Sequence, residues 1–140
     1  MNPIIRNILV VIGAYLLGSI VNMGIITIGP SIIPVPEGVD PTDIESLKAN
    51  MHLFKPINFV TPFLAHALGT LVGALIAAKF TTTQHLYFAL GIGAFFSIGG
   101  IMVLQMLPHP TWYAVLDLGL AYLPMGWLGW KLSGNPKTAA

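Results

Sequence analysis

The sequence contains no cysteine. That excludes disulfides, thiolate metal sites and cysteine nucleophiles. Charge is nearly as scarce: Asp, Glu, Lys and Arg make up 8% of the chain, against about 25% in an ordinary soluble domain. The net charge is +1 with no basic cluster, so the electrostatic footprint of a nucleic-acid binder is missing. No serine lies in a Gly-x-Ser-x-Gly elbow, and no glycine-rich stretch runs into the Lys-Ser/Thr pair of a phosphate loop.

What fills the chain instead is apolar. Hydrophobic residues are 55% of it and the mean hydropathy is +0.80. After Arg6 no acid or base occurs until Glu37, and between Lys79 and Lys131 Asp117 stands alone. Long uncharged runs bounded by charge are what a bilayer selects, because a spanning helix needs about 20 apolar residues. The pattern predicts an all-α polytopic membrane protein, a single domain over residues 1–140. Its expected four-transmembrane-helix bundle has spans at about 8–29, 59–79, 86–107 and 111–131. The first run is too long for a signal-peptide core and reads as a retained span. Trp112, Tyr113, Trp127 and Trp130 fall near the two ends of the fourth run, where amphipathic rings favour the headgroup layer.

The loop between the first two spans, residues 30–57, carries its own signal. Asp40-Pro41 reads as a cap followed by a first helical position, and Ile44, Leu47, Met51 and Phe54 recur on one face. This predicts a short amphipathic helix at the membrane surface, ended by Pro56. Basic residues set the orientation. Arg6, Lys79, Lys131 and Lys137 collect on one side and Lys48 and Lys55 on the other, which places both termini in the cytoplasm. The expected location is the cell membrane, an inner membrane in a bacterium.

Against this background the stretch Pro62–Lys79 raises a question, since a run this apolar keeps His66. Ala65, Gly69, Gly73 and Ala77 form a small-residue ladder beside it, and Thr70 lies one turn on. Without water to expel, membrane helices associate by close approach through such residues, so His66 is expected to face the bundle. Asn22, His66 and Asp117 also fall at one depth, each six or seven residues from the same surface, or on the order of 10 Å. The candidate site is therefore Asn22, His66, Thr70 and Asp117, with Glu45, His52 and Gln105 as further residues on that side.

An imidazole and a carboxylate in low dielectric suit three roles. They can handle a proton, since intramembrane ionisable groups mark proton and solute paths. They can staple helices by hydrogen bonds. They can ligate a metal, here through His66 and Asp117, although no pair shows His-x3-His spacing. The reading favoured is a small non-enzymatic membrane protein with a polar pocket near the outer face that binds or moves a small solute or proton. The alternatives are an accessory or scaffold subunit of a membrane complex and a metal-dependent membrane enzyme. No cofactor is specified. The partners expected are the lipid bilayer and, from the glycine stripes, a second copy or another membrane protein.

Two small families share this length and span number. Small multidrug-resistance transporters carry a glutamate in the first helix, where this chain has only Asn22. The stretch Gly69–Gly73 resembles the glycine-rich second helix of fluoride channels, but Ala74 and Leu75 stand where an asparagine would follow. Neither resemblance transfers a function.

Overall fold

Among the described residues every regular element is a helix. The structure, a computed structural model, describes residues 1–134. Lys137, counted above for orientation, lies outside them. In order the elements are α1 (Pro3–Ile32), α2 (Ile44–Asn50), α3 (Val60–Phe80), α4 (His85–Met106), α5 (Thr111–Leu120) and α6 (Leu123–Leu132). Two 3-10 turns, Met51–Leu53 and Pro56–Phe59, lead into α3. Three helices are long and apolar enough to cross a bilayer: α1 at 30 residues, α3 with its preceding turn at 25, and α4 at 22.

The fourth expected span is two helices rather than one. α5 and α6, of 10 residues each, part at Ala121–Tyr122, where Tyr122 leaves helical geometry at φ −119°, ψ −81°. Pro124 supplies a physical reason. It has no N–H for the Leu120 carbonyl, and its ring crowds that same carbonyl.

The other boundaries follow from local chemistry. Asn2 caps α1, its side chain accepting from the Ile4 amide at 2.9 Å, and Pro3 occupies the first turn. Pro30 sits in the last turn of α1, where it withholds an N–H from the Ile26 carbonyl, and the helix ends two residues later at Ile32. The surface helix starts later than Asp40-Pro41 suggested. Asp43 is its cap, accepting from the Glu45 amide at 3.1 Å. Asp40 instead closes a turn, accepting from the Thr42 hydroxyl at 2.7 Å and the Thr42 amide at 2.8 Å. Those two bonds hold its carboxyl below the usual carboxylate range. α2 stops at Asn50, and the following 3-10 turn, rather than a longer helix, carries Met51 inward.

α3 is the central helix and packs against α1, α4 and α6. It can do so because its buried positions are small: Ala65, Ala67, Gly69, Thr70, Gly73, Ala74, Ala77 and Ala78. A Cβ on Gly18 of α1 would sit 2.6 Å from the Gly69 carbonyl oxygen, and one on Gly69 would sit 2.8 Å from that of Gly18. α6 meets α3 in the same manner, a Cβ on Gly129 falling 2.8 Å from the Leu75 amide nitrogen. Outside these seams the long helices present large apolar side chains. On α1 alone Ile5, Ile8, Leu9, Ile12 and Leu16 are each more than half exposed, a surface suited to lipid.

The packing gives an expected outcome. Gly69→Ala pushes a methyl group into backbone that cannot yield, so it should lower stability by about 1–3 kcal/mol, the range of an overpacked core. Gly99→Ala meets nothing within 4 Å and should leave stability unchanged or raise it. Thermal unfolding of both variants in the same detergent checks the contrast; equal effects would show that α1 and α3 do not approach this closely.

Candidate functional site

Asp117 lies in the second half of α5 and has no exposure to the surroundings. Its carboxylate faces α3, where His66 Nδ1 is 2.9 Å from Oδ1 and 3.0 Å from Oδ2. Two hydroxyls complete the ring of donors. Tyr122 Oη donates to Oδ2 at 2.9 Å and Tyr113 Oη to Oδ1 at 3.4 Å. A buried carboxylate is tolerated only when paired and hydrogen-bonded, and here both oxygens are engaged. Among the described residues His66 is the one ion-pair partner Asp117 has.

The imidazole is fixed by the same contacts. Its ring lies against that of Tyr122, centroids 5.7 Å apart at 30°. A neutral ring that donates to a carboxylate carries its proton on Nδ1, which leaves Nε2 as an acceptor. The His66 side chain retains 14% exposure, and Nε2 has no hydrogen-bond partner within the described residues. The pair therefore presents one oriented lone pair, backed by an anion.

An aromatic roof closes the end of the site where α3 and α5 begin. Phe59 packs on Tyr113 at 4.8 Å and on Trp112 at 5.4 Å, and His109 stacks on Tyr113 at 5.2 Å and 27°. Met51, Phe59 and Tyr113 form a buried cluster of their own, with Phe54 beside it. The roof is thus built by the first loop and by the turn between α4 and α5. His109 belongs to it and is half-buried. Burial pushes it below the usual histidine range, against the opposing pull of the Leu107 carbonyl 3.1 Å from its Nδ1.

Not every candidate joins this constellation. Asn22 is half-buried with its Cβ against Gly69, and it makes no hydrogen bond to His66 or Asp117. Thr70 is fully buried one turn below His66, and its Oγ1 has no partner among the described residues. Glu45 and Lys48 form an exposed pair at 3.4 Å, and His52 and Gln105 are exposed. Among the described residues no three His, Asp or Glu side chains gather as metal ligands would. His66 and Asp117 offer two, and the carboxylate is already occupied.

Two site residues were not anticipated. Tyr113 stands four residues before Asp117, one helical turn away on the same face, so its position was readable although the interfacial role of aromatics hid it. Tyr122 stands five residues after, where a continuous helix would turn it to another face. Only the break at Ala121–Tyr122 swings it back; Pro124 signals a disturbance of the helix there but not the direction in which Tyr122 turns. Trp130, also assigned to the headgroup layer, packs on the core, its Nε1 buried and without a partner among the described residues.

Among the described residues, grooves of about 380 to 440 Å³ mark the surface, and His66 and Asp117 do not line these. One runs between α1 and α4 along Val11, Tyr15, Phe88 and Phe95, and is apolar. Comparison with protein-family models, with curated proteins and with solved structures finds no match to this chain.

Removing single donors tests the network. Tyr122→Phe deletes a bond of 2.9 Å to a carboxylate and should cost about 1.5–3 kcal/mol. Tyr113→Phe deletes a 3.4 Å contact and should cost less. Thermal unfolding ranks the two, and a reversed order would contradict this geometry. In ¹⁵N spectra neutral His66 should show its proton on Nδ1, and Asp117→Leu should abolish that preference; a ring protonated on Nε2 in the unaltered protein would refute the donor assignment.

Proposed function

We propose that the chain is a four-pass integral membrane protein whose His66–Asp117 pair is a proton-binding site near the outer face, serving the binding or movement of a small solute or a proton. Supporting the fourth crossing, Thr111–Leu132 spans both short helices, and 22 residues at 1.5 Å each reach about 33 Å, enough for the ~30 Å hydrocarbon core. Trp112 and Trp127 are half-exposed near its two ends, and Lys131 follows at the second. Four crossings put Arg6, Lys79 and Lys131 on one side and Lys48 and Lys55 on the other, the cytoplasmic and outer sides respectively. The outward glycines Gly13, Gly24, Gly91 and Gly99 have nothing within 4 Å of a Cβ, which leaves smooth faces for a second copy or a membrane partner.

One observation carries the proton reading: a carboxylate with no exposure whose ion-pair partner is an imidazole. With one proton between carboxylate and neutral imidazole absent, the pair holds a net negative charge in an apolar interior. Taking up one proton neutralises it, as an ion pair or as two neutral groups. Burial of net charge is the costlier state, so proton occupancy and the surroundings of the pair are linked. The free Nε2 gives the proton, or a solute that donates a hydrogen bond, a place to arrive. The staple reading has its own support, since the tyrosines and His66 tie α5 and the start of α6 to α3.

Proton uptake separates them. Detergent-solubilised protein, followed by infrared difference spectroscopy over a series of pH values, should show a carboxyl or imidazole band that Asp117→Asn removes and His66→Gln alters. Identical spectra for all three proteins would leave a purely structural tie. The absence of cysteine makes the crossing test simple. With membrane-impermeant thiol reagents, Leu132→Cys should label from the same side as Asn2→Cys and the opposite side to Thr42→Cys; labelling of Leu132→Cys together with Thr42→Cys would reduce the spans to three.

A further inference from the structure

We propose that the break between α5 and α6 holds a buried water molecule, hydrogen-bonded to Thr70 and to the unpaired backbone groups of the break at the middle of the bundle. The inference rests on α5 and α6 forming one crossing and is independent of proton handling by the pair above it.

Register places the residues. α3 and α5 run in the same direction, and His66 and Asp117 stand opposite each other within 3.0 Å. Four residues further along come Thr70 on α3 and Ala121 just past the end of α5, both without exposure. Each lies ten residues from the start of its helix, about 15 Å down. One more turn along α3, Ala74 meets Gly129 of α6. Thr70 therefore faces the segment between Asp117 and Gly129, which is where the helix is interrupted.

The Thr70 hydroxyl is anomalous in this protein. Thr27 and Thr81 satisfy their hydroxyls by donating to the carbonyl four residues back, at 2.7 Å to Met23 and 2.8 Å to Ala77. Thr70 does not, and its Oγ1 is left buried without a partner. Such a group costs about 1–3 kcal/mol when unmet.

The break supplies complementary groups. No side chain caps α6, and Pro124 in its first turn has no N–H. Gly126 makes the first backbone bond into the helix, to the Tyr122 carbonyl at 2.8 Å, so the amides of Leu123 and Met125 lack one. On the α5 side, the Leu120 carbonyl has lost its donor to Pro124. A hydroxyl, free amides and a free carbonyl form a mixed set of donors and acceptors. Water satisfies such a set, since it needs two to four polar partners of both kinds, whereas a bare anion or cation would meet half of them with the wrong sign. Interrupted backbone inside a membrane survives where it is buried in protein or touches water.

Hydrogen–deuterium exchange on the full chain in nanodiscs tests the site. The amides of Leu123 and Met125 should exchange while amides at the same depth in α3 and α4 stay protected. Protection at both positions equal to that of α3 and α4 would overturn the bound water. Uniformly fast exchange along all of α5 and α6 would instead overturn the crossing, and the site with it. Thr70→Val gives a second, independent sign. If the hydroxyl is simply unpartnered, replacing it with a methyl group of similar shape raises the Tm; if it holds a water, the Tm falls. A raised Tm would overturn the proposal.

Discussion

Two helices can touch backbone to backbone only where both carry almost no side chain, and α3 meets that condition on several faces at once. Gly69 admits α1, Gly73 lies against Ala14 of α1 and Ile92 of α4, and Ala74 receives Gly129 of α6. In lipid there is no water to expel between helices, so this close approach is the main source of contact energy. It also sets the distances for everything else. A helix held a side-chain length further away could not bring α5 within hydrogen-bond reach of His66, and the carboxylate of Asp117 would be buried alone.

The polar network is the second consequence of that tight geometry. Asp117 takes donors from three places: His66 on α3, Tyr113 on its own helix, and Tyr122 just beyond the break. The interruption at Ala121–Tyr122 thus has a use. It costs backbone bonds, yet it turns Tyr122 so that its hydroxyl reaches back to the carboxylate while its carbonyl packs on Gly93 of α4. The same interruption leaves the Leu120 carbonyl without the N–H that Pro124 lacks. A polar layer above and an opened backbone below then occupy the seam between α3 and the α5–α6 pair. Phe59, Tyr113 and His109 cover it from the side of the first loop.

Much of this was legible in one dimension. The three long apolar runs were plain because their length, hydropathy and bounding charges agree, and the structure places α3 and α4 within a residue of the expected ends. The facing of His66 followed from the small residues at helical spacing beside it. Its level with Asp117 followed from counting residues from one surface, a count that works because both helices are regular and begin together. Asn22 shared that level, but depth says nothing about direction around the axis, and its side chain lies against Gly69 instead. Glu45 and His52 shared the side of the membrane, a still weaker constraint, and they remain on the exposed loop.

What the sequence determined by itself was composition-level physics: an apolar helical chain, the depth of its few polar groups, and the face on which small residues allow contact. These follow from local periodicity and from the solvent the chain must suit. Tertiary structure alone decided which polar groups meet. Pro124 announced that the fourth helix would be disturbed, but a kink and a full break are both compatible with a missing N–H. The choice between them depends on what α3 and α4 offer Tyr122. That choice brought one tyrosine into the site, because the outcome depends on rotation between helices, which no count along the chain contains.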